Sequence, residues 1–187
     1  TCYDNFTKKF HTFGIKPYNG KGRPDLNYVH CRDERDMFIK FLEYLESDYP
    51  DIISGWNSEF FDIPYIVGRI EHILGPDYVN RLSPLGRVYS RLIRGQFGRE
   101  QKRFYIEGVA CLDYLDVYKR FCLKLRESYK LDAIGELELG QRKIDYGDSN
   151  LATLSDEDWD KFIDYNIQDV NLLVRLEEKL QYFPLLR

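Results

Sequence analysis

A layered α/β fold, a mixed sheet flanked by helices, is predicted by three features of this sequence. Short strand-like runs alternate with helix-periodic segments through the first two thirds of the chain. One segment, Gly55–Tyr65, reads as a strand ending in a loop that enters a helix. The last third is dominated by helical periodicity. With 187 residues, 43% hydrophobic and 16% aromatic, the chain has material for one well-buried domain and does not have a disordered composition. A net charge of −4 argues against a protein that coats nucleic acid generically, although a site that holds cations needs carboxylates of its own.

Residues 1–15 alternate between aromatic and polar types (Tyr3, Phe6, Phe10, Phe13), and Asp4-Asn5 in their midst predicts an antiparallel hairpin. After a Gly/Pro/Lys loop over 17–24, Tyr28-Val29-His30 is a short strand. Arg32 or Asp33 begins a helix with Met37, Phe38, Phe41, Leu42 and Leu45 at 3–4 spacing, ended by Pro50. Asp51–Trp56 is a buried strand. Ile63–Leu74 is helical, with Pro64 in its first turn and Gly75-Pro76 as its stop. Residues 88–107 form a hairpin around Gly95–Gly98, and Val109–Leu112 is a further strand. Helices follow at Tyr114–Leu123, Leu131–Leu139 and Asp158–Leu180, the last with Ser155 as its N-cap and an acid three residues on.

Four scattered cysteines (Cys2, Cys31, Cys111, Cys122) form no C-x-x-C pair, so structural zinc and a disulfide framework are not expected, and a reducing, cytosolic setting is. No run approaches the roughly 18 apolar residues of a membrane span. Both ends read as cut from something longer. His11, His30 and His72 are dispersed, and Asp145–Asn150 lacks the spacing of a calcium loop, so it reads as a polar turn.

Two carboxylates stand out. Asp62 lies where strand hands over to helix, and position alone favours an N-cap over catalysis. Asp169 could be a solvated helix aspartate, but Tyr165 four residues earlier shares its helix face. That pair can aim a phenol and a carboxylate at one point, where they could orient a water beside a divalent cation. Phe60 and Phe61 could be core, or one could wedge against a terminal base; core is favoured for Phe61.

Taken together, Gly55–Tyr65, with Asn57 and Phe61-Asp62, resembles the second exonuclease motif of family B DNA polymerases, and Tyr165–Asp169 resembles the third. Leu112–Lys119 and Ser128–Gly135 resemble the text between those motifs. The likeness spans nearly the whole chain and is strongest to replicative polymerases of large tailed bacteriophages. It implies a ribonuclease-H-like 3′–5′ proofreading exonuclease domain over residues 1–187, part of a larger polymerase working in the cytoplasm of an infected bacterial host. The implied cofactor is a pair of Mg²⁺ or Mn²⁺ ions. The implied roles are Asp62 and Asp169 as metal ligands, Tyr165 positioning the attacking water, Lys143 supporting charge on the phosphate, and Asn57 and Phe61 contacting DNA. Implied partners are single-stranded or primer-template DNA, the remaining polymerase domains, and a sliding clamp through the full protein.

One departure counts. The family's first motif, Asp-x-Glu on the strand before the opening hairpin, supplies two more carboxylates, and no such pair stands there; the fold is expected to lack that strand. Two ligands neutralise two dications poorly, so the isolated chain is expected to have little nuclease activity. The alternative is a non-catalytic DNA-binding or structural module of the same fold.

A basic island accompanies the hairpin: Arg81, Arg87, Arg91, Arg94, Arg99, Lys102 and Arg103 against Glu100 alone, interleaved with Tyr89, Phe97, Phe104 and Tyr105. Phosphate contacts with base stacking is one reading, with Arg91 and Arg94 as DNA contacts. A charge-guarded edge strand is the other.

Overall fold

The computed structural model describes residues 1–20, 22–94, 100–140 and 151–186. The chain divides into two compact units, Thr1–Met37 with Lys124–Arg187, and Phe38–Leu123. Both mix strands with helices.

In the first unit, β1 (Cys2–Asp4) and β2 (Lys9–Gly14) form the expected antiparallel hairpin, and β3 (Leu26–His30) adds to β2 in parallel. The turn is held by Asp4, whose carboxylate accepts from the Phe6 N–H and from the Thr7 hydroxyl. Alternation along β2 buries Phe10 and Thr12. Phe10 meets Ile163 and Ile167 of α7 (Trp159–Leu180), four apart and thus on one helical face. Trp159 closes the other end of that contact, donating from Nε1 to the Tyr28 hydroxyl, which donates to the Lys16 carbonyl. Before α7 come α5 (Leu131–Leu139) and α6 (Leu151–Glu157). Gly135 allows α5 to approach α7 closely, since a Cβ there would lie 2.9 Å from the Leu172 methyls.

Two local expectations are corrected here. Ser155 does not cap the late helix: it lies inside α6, and Asp158 is the cap, its carboxylate accepting from the Lys161 N–H at 3.0 Å. Ser155 and Asp158 are both good cap residues within reach of the same start, which makes the sequence signal degenerate by three positions. The short α6 has no counterpart among the expected helices. The Asp145–Asn150 turn, the Gly95–Gly98 turn, Phe97 and Arg99 lie outside the described residues.

α1 (Glu34–Ser47) runs across the boundary between the units. Asp33 caps it, accepting from the Asp36 N–H at 2.7 Å, while Asp36 reaches back to the Arg32 N–H at 2.9 Å. In the second unit, β4 (Ile52–Gly55) and β7 (Ala110–Asp113) pair in parallel, with Gly55 opposite Asp113. β4 leads to α2 (Asp62–Leu74), whose Ile63, Val67 and Ile70 are buried at i, i+4, i+7, and then to the one-turn α3 (Pro76–Val79). β7 leads to α4 (Tyr114–Phe121), where Tyr114 and Tyr118 are fully buried. β5 (Val88–Arg94) and β6 (Glu100–Ile106) form the expected antiparallel hairpin. The α/β class, sheets flanked by helices, thus holds. No helix among the described residues is long and apolar enough to cross a membrane.

Candidate nuclease site

The loop between β4 and α2 begins where a ladder stops. Past Gly55 the chain turns, and Asn57 adopts φ +62°, a left-handed conformation that asparagine tolerates better than most residues. Its N–H donates to Asp113 Oδ1 at 2.9 Å, and the Glu59 N–H donates to Asp113 Oδ2 at 3.2 Å. Asp113 also caps α4, accepting from the Leu115 N–H at 3.0 Å. Gly55 is required by the tightness of this turn, because a Cβ would stand 2.8 Å from the Ser58 Cβ. Trp56 packs its ring against Tyr114 and Tyr118, rooting the loop in the core.

The loop delivers Asp62 as the first residue of α2. The capping expectation fails: Phe61 occupies the cap position and has no side-chain cap bond, while the Asp62 carboxylate bonds only locally, to its own N–H. The turn is closed by backbone instead, Ile63 N–H to the Ser58 carbonyl at 2.9 Å. The Asp62 carboxylate is thereby left for other work. It lies near the end of β4, with Oδ2 4.0 Å from where a Gly55 Cβ would sit. Asp62 is a surface residue, yet shielding of its carboxyl from water, with the nearby negative charge of Asp113, raises its pKa above the usual aspartate value despite a bond from its own N–H. Burial likewise pushes Asp113 up, against the pull of its three N–H donors.

Phe61 is also corrected. It is 70% exposed rather than core, because the cap position points its ring away from the buried stripe of α2, and Tyr65 beyond it is exposed too. Glu59, unremarked in the sequence, is buried and pairs with Arg103 of β6. Burial raises its pKa and the guanidinium lowers it.

In the first unit, Tyr165 and Asp169 lie on α7, four apart and half-buried, and Asp169 Oδ1 is enclosed. Lys143 lies outside the described residues. Asn57, Phe61 and Asp62 therefore share one loop of the second unit, while Tyr165 and Asp169 share a helix of the first. Among the described residues no three His, Cys, Asp or Glu side chains form a group that could hold a metal ion. The donors at hand are carboxylate oxygens, which suit hard cations such as Mg²⁺ and Mn²⁺.

On the hairpin, Tyr89 and Tyr105 stack across the strands with centroids 5.2 Å apart and planes 13° from parallel. Exposed Arg91 lies over both rings, at 5.4 and 5.6 Å. Arg91 stands directly opposite Arg103, a like-charge pairing that these ring contacts and the Glu59 pair offset. Arg94 is exposed and stands opposite Glu100.

The parallel pair β4–β7 thus ends beside Asp113, with the Asp62 carboxylate close by at the start of α2, in an α/β domain. Comparison with known proteins is specific: residues 5–134 match the family described as DNA polymerase family B, exonuclease domain. The chain belongs to that family, and with it goes the ribonuclease-H-like exonuclease fold. The matched residues include Asn57, Phe61, Asp62 and Asp113 and stop short of Tyr165 and Asp169. The DNA-directed DNA polymerase of Enterobacteria phage T4 is 36% identical over 151 residues, 81% of this chain and 17% of that protein. That of Escherichia phage RB69 is 34% identical over 158 residues, 84% of this chain and 17% of that protein. The DNA polymerase delta catalytic subunit of Candida albicans is 32% identical over 162 residues, 82% of this chain and 15% of that protein. The chain thus spans about a sixth of the length of the relatives it matches.

Sequence reasoning passed over Asp113 and Glu59 as site residues. For Asp113 a signal existed: an aspartate closing an apolar strand run immediately before a helical pattern, the same arrangement that drew attention to Asp62. Glu59 carried none, since only folding reveals that a loop glutamate is buried.

Proposed function

We propose that the chain is the 3′–5′ proofreading exonuclease domain of a DNA-directed DNA polymerase, its 187 residues acting as one domain. Its substrate is the 3′-terminal phosphodiester of single-stranded or frayed primer DNA. The observation that carries this reading is Asp62: a carboxylate at a strand-to-helix turn, with a raised pKa and no capping bond, in a chain of this family.

Mg²⁺ or Mn²⁺, when bound, activates the attacking water and steadies the leaving 3′ oxygen. Asp62 and Asp169 would hold the metal, and a cation there would favour the ionised form of Asp62 that shielding from water opposes. Tyr165, on the same helical face as Asp169, would orient the water through its phenol. Lys143 would support charge on the phosphate. Asn57 and the exposed ring of Phe61 flank the carboxylate and would meet the terminal nucleotide, with Arg91 and Arg94 gripping the strand further along. The remaining polymerase domains and a sliding clamp would be partners in the full protein, acting in the cytoplasm of an infected bacterial cell.

With two motif carboxylates where the family uses four, this chain alone would hydrolyse little. The test is Mg²⁺- or Mn²⁺-dependent release from 3′-labelled single-stranded DNA, by the longer polymerase and by this chain. Hydrolysis by the polymerase that Asp62→Ala and Asp169→Ala each abolish supports the reading. Robust hydrolysis by the chain alone, lost in Asp169→Ala, overturns the inactivity expected of it. Salt-sensitive DNA binding with no hydrolysis by either protein indicates a non-catalytic binding module.

A further inference from the structure

Asp113 does more than an N-cap requires. Capping α4 takes one hydrogen bond, from the Leu115 N–H; the two others go to a loop that belongs to a different strand–helix unit. Gly55 and Asp113 end their parallel strands side by side, so beyond them the N–H groups of residues 57 and 59 have no ladder partner. Glu59 is buried at 6% exposure, and its backbone donor left unpaired there would be costly. A carboxylate has about four acceptor positions, enough to take both donors and the cap.

The loop is held a second time through its side chain. Glu59 is paired with Arg103 from the middle of β6, so backbone and carboxylate of one residue are tied to two different elements. From Ser58 the path to Asp62 is short and stiff, because the Ser58 carbonyl accepts the Ile63 N–H and so closes the loop around Asp62 where α2 begins. A shift of residues 57–59 therefore carries Asp62 with it.

We propose that Asp113 is a positioning residue for nucleolysis, holding the Asn57–Glu59 loop so that Asp62 is presented in reactive geometry, with Arg103 fastening the loop's other end through Glu59. The kinetic consequence rests on the nuclease reading above; the mechanical one does not. Misplacing a reacting group by about 1 Å can cost on the order of 10²-fold in rate. Binding of the DNA strand by other surfaces need not change.

Asp113→Ser separates the two duties, since a serine oxygen still caps α4 but cannot accept from both loop amides. In the longer polymerase, this variant should keep its thermal midpoint near that of Asp113→Thr, a second cap-preserving variant. Amide hydrogen exchange across residues 57–59 should quicken by about tenfold, the equivalent of losing a net hydrogen bond. On 3′-labelled single-stranded DNA, kcat should fall about 10²-fold while KM stays within about twofold. Arg103→Gln, which leaves the α4 cap untouched, should quicken exchange at Glu59 and lower kcat in the same sense. Unchanged exchange at residues 57–59 in Asp113→Ser overturns the positioning role, whatever hydrolysis shows. Quickened exchange with kcat unchanged also overturns it. A wild-type polymerase that hydrolyses nothing, with exchange still quickened in Asp113→Ser, sinks the nuclease reading and leaves the hold of Asp113 on the loop supported.

Discussion

A carboxylate shielded from water and not fully compensated by hydrogen bonds or positive charge weakens the fold that carries it. Asp62 is such a group, its pKa raised first by loss of hydration and further by the charge of Asp113. Between the ordinary aspartate value of 3.8 and its higher folded value, the folded chain holds this proton and the unfolded chain does not. By linkage, stability falls as pH rises through the folded pKa, and the penalty disappears below 3.8. Asp113 and Glu59 are shifted the same way by burial. Asp62→Asn should therefore melt at a higher temperature than wild type at pH 7, with the gap closing as pH is lowered toward about 4. Thermal denaturation followed by circular dichroism at both pH values checks this; a variant less stable at pH 7 would mean that Asp62 serves the fold. A side chain that costs stability and ties no element to another is what a functional carboxylate leads one to expect.

Among the elements, the β5–β6 hairpin combines features that usually exclude one another. Arg91 and Arg103 face each other across the strands, beside a stacked pair of tyrosines. Guanidinium over an aromatic face keeps a cation at the surface while covering the ring, so positive charge is presented to a polyanion on a base of stacked rings. Reversing charge with Arg91→Glu and Arg94→Glu together should weaken single-stranded DNA binding. The slope of log affinity against log salt should drop by about 0.7 for each phosphate that is no longer neutralised. Fluorescence anisotropy across a salt series measures it. An unchanged slope would assign these arginines to guarding an edge strand. By contrast α7 is an element built for placement, its buried Ile163, Ile167, Leu172 and Leu176 leaving Tyr165 and Asp169 half-buried beside them.

At the scale of the whole molecule, the proposed chemistry draws on residues from both compact units. If Asp62 and Asp169 serve one metal centre, removing either should disable it, and removing both should add little. In the longer polymerase, hydrolysis by Asp62→Ala/Asp169→Ala should match the weaker single variant instead of showing the product of the two losses. Single-turnover rates on one DNA substrate decide the matter, and multiplicative losses would show two independent contributions.

Periodicity and turn residues located the hairpins, the short strands and the long helices, because each depends on neighbours a few residues away; that β2–β3 and β4–β7 pair in parallel was not among the expectations. It also placed Asp62 at a strand-to-helix turn and set Tyr165 and Asp169 on one helical face. Where a serine and an aspartate three residues on competed to start α7, local rules chose Ser155, and only the finished hydrogen bonds single out Asp158. The same limit hid the work of Asp113 and the burial of Glu59 and made Phe61 look like core. Those properties arise from groups more than fifty residues apart in sequence, or from the direction in which a cap position points a ring. The sequence by itself determined which chemistry-bearing side chains the chain possesses and on which elements they stand. The tertiary structure decided which carboxylate holds a loop and which is left free, since that depends on which buried N–H groups find an acceptor when two strands end side by side.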